Sequence, residues 1–153
     1  MTKPISIDAK IRTTESLCRS RGIPLTVQRR TILETLAART DHPTADQIYD
    51  VVKGLLREVS RTTVYRVLET FVRLGVVTKV SNPHAKARFD ADTRRHHHLI
   101  CLKCDAVADY VDDRLNGIDL PPAALNGFAM LDYSLSITGI CAACCGEKTP
   151  GHP

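Results

Sequence analysis

The stretch His96-His97-His98-Leu99-Ile100-Cys101-Leu102-Lys103-Cys104 decides how the rear of this chain folds, because a second pair, Cys141-Ala142-Ala143-Cys144, answers it near the C-terminal end. Two residues between cysteines let both sulfurs of a short knuckle turn toward one ion, and two knuckles supply the four thiolates of a closed tetrahedral zinc site. The knuckles stand 36 residues apart, more than a zinc ribbon needs, so a small subdomain must lie between them. Disulfides and a redox dithiol are the competing readings. No signal peptide or membrane-spanning run is visible, which points to the cytoplasm, where disulfides are rare. A redox dithiol would use one such motif inside a βαβ pattern, and here there are two without that context. Zinc is the reading these cysteines support.

Working outward, 153 residues with 43% hydrophobic content are enough for one large domain or two small ones. Charge favours two. Residues 1–90 carry sixteen Lys and Arg against nine Asp and Glu, a balance of +7, whereas residues 91–153 carry five against eight, a balance of −3, together the +4 of the whole chain. A basic front joined to an acidic, Cys/His-rich rear suggests that the front meets nucleic acid. Basic helices are also commonly just solvated faces.

The front reads as four helices in quick succession. The first spans about Ile5 to Arg21 and stops at Gly22, with Pro24 just beyond. Thr26 caps a second, whose apolar stripe is Ile32, Leu33 and Leu36. After the break at Asp41-His42-Pro43, Thr44 caps a third helix that runs to about Leu56 with Ile48, Val51, Val52 and Leu55 as its buried face. Ser60 caps a fourth, in which Val64, Val67, Leu68, Phe71 and Leu74 repeat at helical spacing until Gly75. Its other face presents Arg61, Thr62, Thr63, Tyr65 and Arg66 at the N-terminal turns, the end that a recognition helix offers to bases and phosphates. Two short β-like runs follow, Val76 to Val80 and Ala87 to Asp90, around the turn Ser81-Asn82-Pro83. Helices followed by a hairpin describe a winged helix-turn-helix.

Three passages, in order, then resemble the ferric uptake regulator family of metal-sensing bacterial repressors: Leu25-Thr26-Val27-Gln28-Arg29-Arg30, Ser60-Arg61-Thr62-Thr63-Val64-Tyr65-Arg66-Val67-Leu68, and the His96 to Cys104 stretch, with Cys141 and Cys144 in their expected places. The resemblance covers roughly residues 10–145. It implies an α+β fold: an N-terminal winged helix-turn-helix domain (1–83), a hinge (84–96), and a C-terminal α/β dimerisation and metal-binding domain (97–153) with a four-cysteine zinc site at Cys101, Cys104, Cys141 and Cys144. It also implies a homodimer on double-stranded DNA carrying an AT-rich inverted repeat, which suits two-fold protein symmetry, and no membrane partner.

Histidines at i and i+2 on a strand share a face, so His96 and His98 are placed to hold one ion while His97 looks away. The resemblance completes that regulatory site with a ligand before the third helix, one at the hinge and one after the first knuckle, positions held here by His42, Asp90 and Asp109. Three imidazoles and two carboxylates suit Fe2+ or Mn2+ and tolerate zinc. Taken singly, His42 reads equally as a turn residue, Asp90 as a strand end, and Asp109 as part of an acidic run with Asp112 and Asp113. Jointly they fall where the family pattern needs them. Aspartate at both carboxylate positions resembles the peroxide-sensing branch, in which Fe2+-dependent oxidation of His42 or His96 would lift repression. An iron-responsive repressor and a zinc or manganese sensor of the same family are the alternatives.

The family's additional metal site would use the positions of Arg95, His97 and Tyr133; a guanidinium cannot coordinate and a neutral phenol rarely does, so that site is expected to be absent. Gly117, Pro121, Pro122 and Gly127 interrupt what the family builds as a long helix between Leu115 and Phe128. Cys145 is either a substitute for Cys144 or a spare thiol, and Cys18 reads as a buried apolar residue. A zinc hydrolase would need an open coordination position and a general base, and no His-Glu-x-x-His motif appears. The chain therefore reads as a regulator and not an enzyme.

Overall fold

The computed structural model describes residues 6–82 and 85–146, which divide between Thr93 and Arg94 into two compact units. The first unit holds four helices, α1 (Ile7–Ser20), α2 (Val27–Ala37), α3 (Ala45–Leu55) and α4 (Arg61–Arg73), followed by the strands β1 (Thr78–Val80) and β2 (Arg88–Asp90). Every one of these helices starts at a side-chain cap. Ser6, Thr26, Thr44 and Ser60 each accept the backbone N–H three residues on, and at α3 the Gln47 side chain returns a bond to the Thr44 N–H, completing a capping box. Ser6 is also why α1 begins two residues later than its apolar pattern suggests. At the other ends, Gly22 (φ 65°) and Gly75 (φ 71°) take the left-handed conformation that stops a helix without a Cβ clash.

Ile32, Leu33 and Leu36 from α2, Ile48 and Val52 from α3, Val64, Leu68 and Phe71 from α4, and Phe89 from β2 fill one core and are all essentially inaccessible. Each contributes roughly 1.5–3 kcal/mol by leaving water. The expected face of α3 is narrower than its hydrophobic residues suggested. Val51 is 45% and Leu55 64% exposed. The buried line runs through Ala45, Ile48 and Val52, from which Val51 is rotated by about 90°, and Leu55 is the last helical residue. The β runs are likewise shorter than expected at their starts. Val76 and Val77 are buried, and both their N–H groups bond to the Phe71 carbonyl (3.0 and 3.3 Å), so they seal the C-terminus of α4 and are not free to pair in the sheet.

Strands β1 and β2 pair antiparallel with Lys79 opposite Phe89, forming the expected wing. Pro83 of its turn lies outside the described residues. The loop before α3 is stitched to this hairpin: Arg88 donates to the His42 carbonyl (3.0 Å), the Phe89 N–H donates to the Pro43 carbonyl (3.0 Å), and Thr44 bridges to Arg88.

In the second unit β3 (His97–Cys101) is central, paired antiparallel with β4 (Val107–Tyr110) and parallel with β5 (Ser136–Gly139). The connection from β4 to β5 contains two short 3-10 turns, Asp113–Leu115 and Pro122–Leu125, in place of a long helix, as the Gly and Pro punctuation leads one to expect. Phe128 and Leu131 in that connection are 79% and 95% exposed. A four-residue helix, α5 (Ala142–Cys145), closes the unit. No helix among the described residues is long and apolar enough to cross a membrane.

Candidate metal centres and nucleic-acid face

The parallel pairing of β3 with β5 puts Cys101 opposite Gly139, which brings Cys141, two residues later at the N-cap of α5, back beside the first knuckle. That knuckle is a tight turn: Cys101 and Ala106 pair across it, the Asp105 N–H donates to the Cys101 carbonyl (3.0 Å), and Asp105 adopts φ 58°. One sulfur from each of Cys101, Cys104, Cys141 and Cys144 lies within 4.8 Å of the other three, and the Sγ atoms of Cys104 and Cys141 are 3.7 Å apart. Tetrahedral zinc with Zn–S bonds of about 2.3 Å requires sulfurs about 3.8 Å apart. The four cysteines fit zinc, and all are free thiols without disulfide bonds.

Backbone N–H groups of Cys141 and Cys104 point at the Cys101 sulfur, the first at 3.3 Å, and pull its pKa down to about 6. Hydrogen bonding with the Cys141 and Cys104 thiols pushes Cys144 up to about 12. Four thiols at this spacing share protons that a divalent cation would displace. Cys145 is exposed and its thiol turns to the Ile140 carbonyl (3.7 Å), leaving Cys144 in the four-sulfur group. Cys18 is buried on α1 in the first unit, as expected of a small apolar residue.

The candidate regulatory ligands divide between the two units. In the first, His42 adopts φ 50°, a conformation few non-glycine residues take, and the tethers from Arg88 and Phe89 hold that loop against β2. The result is that His42 Nε2 sits 3.4 Å from Asp90 Oδ2, both residues being buried. The other Asp90 oxygen accepts the Asp92 N–H (2.8 Å), which fixes the carboxylate plane.

In the second unit, His96 donates its Nδ1–H to the Arg94 carbonyl (2.7 Å), leaving Nε2 as the nitrogen with a lone pair to offer. That Nε2 lies 3.1 Å from Nε2 of His98 and 3.4 Å from Oδ1 of Asp109. Adjacent ligands of a six-coordinate ion with bonds of about 2.1 Å stand about 3.0 Å apart. The sheet explains the convergence, because His98 is directly opposite Asp109 across β3 and β4, and His96 precedes His98 by two. Two imidazole nitrogens and a carboxylate oxygen thus fit three positions of a mixed N/O shell.

His97 points the other way, is 0% exposed, and stacks on the Tyr133 ring at 6.4 Å between centroids. Tyr133 donates its hydroxyl proton to the Leu115 carbonyl and accepts the Ile118 N–H (3.0 Å), while Arg95 lies 4.6 Å above the ring and pairs with Asp132 (2.6 Å). The phenol and the guanidinium at this position are thus engaged in packing and backbone bonds.

On α4, Arg61, Thr62, Tyr65 and Arg66 are exposed on one side of the N-terminal turns. Thr63 is different: its N–H and hydroxyl both bond to Ser60 (3.0 and 2.9 Å), so it serves the cap. Arg61 is not free in solvent. It pairs with Asp46 of α3 (2.6 Å) and lies 4.6 Å over the Tyr49 ring, and Lys86 beside the wing pairs with the same Asp46. The sequence reading missed Asp46 and Tyr49, whose only signal is their i, i+3 placement on the face of α3 next to a basic helix start.

Residues 20–138 match the ferric uptake regulator family. Over 139 residues the chain is 31% identical to the peroxide-responsive repressor PerR of Staphylococcus aureus (strain Mu50 / ATCC 700699), spanning 91% of this chain and 94% of that protein. The fold is similar to that of the Helicobacter pylori ferric uptake regulator Fur, a structure described as revealing three functional metal binding sites, with a TM-score of 0.76 over 99% of this chain and 100% of that one at 15% identity. It is similar also to the ferric uptake regulator from Pseudomonas aeruginosa solved with manganese, at 26% identity and a TM-score of 0.65 over 84% of this chain and 97% of that one.

Proposed function

The chain belongs to the ferric uptake regulator family, and from that membership we propose that it is a peroxide-responsive repressor, a homodimer that holds an AT-rich inverted-repeat operator while its regulatory ion is bound and releases it once a ligating histidine is oxidised. Members of the family are metal-responsive transcriptional regulators that bind DNA as dimers. The zinc at Cys101, Cys104, Cys141 and Cys144 is structural: four thiolates close its coordination, leaving no position for substrate.

The observation that carries the regulatory reading is the incompleteness of each ligand group. His42 and Asp90 offer two donors in one unit, and His96, His98 and Asp109 offer three in the other. Neither number fills the five or six positions that iron or manganese prefers, and the sum of five does. We assign all five to one ion, and divide the chain into a DNA-binding part (1–83), a hinge (84–96) and a dimerisation and metal part (97–153). The compact units separate between Thr93 and Arg94, inside that hinge, with strand β2 of the wing falling on the first unit's side. An ion held from both sides selects one arrangement of the DNA-binding parts out of many.

Held by His42, Asp90, His96, His98 and Asp109, Fe2+ would supply one-electron chemistry toward peroxide, and Mn2+ would supply the same binding without it. The protein's contribution is to present imidazole nitrogens whose orientation is fixed, as the Arg94 carbonyl fixes His96. When the imidazole of His42 or His96 takes one oxygen atom from hydrogen peroxide, the second leaves as water. The oxidised ring is a poorer donor, and the ligand set falls below what holds the ion. Aspartate at positions 90 and 109, together with the 31% identity to a peroxide-responsive repressor, favours this over an iron-responsive or a zinc or manganese sensor. We place the protein in the cytoplasm with its DNA.

The test is fluorescence anisotropy on a duplex selected from a random pool by the zinc-replete protein with Mn2+. Affinity for that duplex is expected to rise about 100-fold with Mn2+, or roughly 2.7 kcal/mol of preference for the closed state, and His96→Ala is expected to lose the response. Binding that ignores added metal would sink the regulatory assignment. On the same duplex, Tyr65→Ala is expected to relax sequence preference. Arg66→Ala is expected to weaken selected and random DNA alike and to flatten the salt dependence by about one ion. Equal losses on both DNAs for both variants would overturn that division of labour.

A further inference from the structure

We propose that Asp46 is a specificity-determining positioning residue, which sets the guanidinium of Arg61 and the ammonium of Lys86 as one paired surface for reading duplex DNA; this rests on the DNA-binding reading above. Asp46 is the second residue of α3, where the positive end of the helix favours a carboxylate. One of its oxygens accepts from Arg61, the first residue of α4, at 2.6 Å, and the other accepts from Lys86 beside the wing. These partners are 15 and 40 residues away in sequence, so the contact ties the start of the reading helix to the wing through a third element. Lys86 first and Arg61 second hold the carboxyl below the usual carboxylate range, so it stays ionised at neutral pH.

Arg61 is gripped twice. Asp46 takes one edge of the guanidinium, and the Tyr49 ring, one helical turn further along α3, covers one face at 4.6 Å. A side chain held this way is biased toward one rotamer before DNA arrives, and the remaining N–H groups of the planar fork keep the geometry that pairs bidentately with guanine O6 and N7 or with a phosphate.

For affinity alone, this carboxylate is a handicap. It places a negative charge between two cations on the face that meets phosphates, and removing it would strengthen the sequence-independent part of binding. Its physical return is discrimination: a fixed fork loses more on the wrong base than a mobile one, and the negative charge penalises DNA on which the fork finds no partner. Lys86, on the other oxygen of the same carboxylate, is placed beside Arg61.

The experiment uses the full-length, metal-loaded protein, a duplex it has selected from a random pool, and a shuffled duplex of the same composition, with both affinities measured across a salt series. Asp46→Asn keeps the shape and removes the charge. The expected result is several-fold tighter binding to the shuffled duplex with a steeper salt dependence, no gain on the selected duplex, and hence a several-fold fall in their ratio. Arg61→Lys, which keeps the charge and loses the fork, is expected to lower the same ratio with the salt dependence unchanged. The double variant is expected to add nothing further, because both changes remove one interaction. Equal tightening on both duplexes, no change on either, or losses that multiply in the double variant would each overturn the proposal. Should Asp46→Asn melt far below the parent protein, Arg61→Lys decides alone, and full discrimination by that variant overturns the inference. A parent protein that selects no duplex refutes the DNA-binding reading itself, an outcome distinct from all of these.

Discussion

A Cys141→Ser protein, prepared without added metal, is expected to keep its N-terminal helical unit and to lose its C-terminal sheet. The reason is the unequal distribution of buried apolar side chains. The sixteen members of the main hydrophobic cluster run from Ile11 to Ala91, all within the first unit. Past Arg94 the buried apolar residues among those described are Ile100, Cys101 and Val107. Three strands of four or five residues with so little core cannot offset the entropy of ordering them. The zinc site supplies what is missing, since structural zinc in small domains is worth on the order of 10 kcal/mol at neutral pH, comparable to the whole stability of an ordinary domain, about 5–15 kcal/mol. Amide hydrogen exchange read by mass spectrometry distinguishes the parts: α4 amides should remain protected while those of β3 exchange at unfolded rates, and bound zinc should fall from one ion per chain to none. Cys145→Ser, whose thiol lies outside the four-sulfur group, is expected to retain the ion and the protection. Protected β3 amides in metal-free Cys141→Ser protein would mean that the sheet sustains itself and that zinc is not what folds it.

What was legible in the sequence follows the range of the interaction that fixes each feature. Thr26, Thr44 and Ser60 act within three residues of themselves, and each helix starts where its cap says it should. The same holds for Gly75 and for the Gly and Pro residues that break the segment between β4 and β5. The exposure of Val51 was not legible, because a helix stripe shows which residues are apolar and not where along the stripe the neighbours end. Nor was the role of Val76 and Val77, whose β-branched character suits a strand but whose N–H groups answer to the Phe71 carbonyl.

The metal ligands divide in the same way. His96 and His98 announce themselves through strand periodicity. That Asp109 is opposite His98 depends on the β3–β4 register, and the loop conformation that sets His42 beside Asp90 depends on Arg88, 46 residues away. Those positions were readable only through the resemblance to a family. Asp46 had no such guide, because its partners are distant and its own helix gives it no apolar or periodic signature.

If the regulatory ion is Fe2+, anaerobically loaded, zinc-replete protein given a slight excess of hydrogen peroxide is expected to gain one oxygen atom on a peptide carrying His42 or His96, and to drop to the metal-free affinity for its selected duplex, a loss of about 100-fold. The resemblance to peroxide-sensing repressors points to these two side chains, and each is held in place. His42 is buried in a constrained loop with its Nε2 3.4 Å from Asp90, and His96 has its tautomer fixed by the Arg94 carbonyl and its Nε2 turned toward His98 and Asp109. Each presents a defined nitrogen at the donor position, so the reactive ring carbon beside it is held close to the chemistry while bulk water is largely excluded. On the proposed five-donor site, loss of either imidazole would remove one donor and release the arrangement that the ion selects. Protein loaded with Mn2+ should show neither the oxygen gain nor the loss of affinity, since only the redox property differs between the two ions. The zinc cysteines serve as an internal control, because a closed four-thiolate shell should retain its ion through the same mild treatment. Oxygen gain on iron-loaded and manganese-loaded protein alike would indicate bulk oxidation and defeat the site-specific reading. Iron-dependent DNA binding that survives peroxide with His42 and His96 unmodified would identify an iron-responsive repressor, with the same fold, the same zinc and the same five ligands, in which the metal supply is the signal.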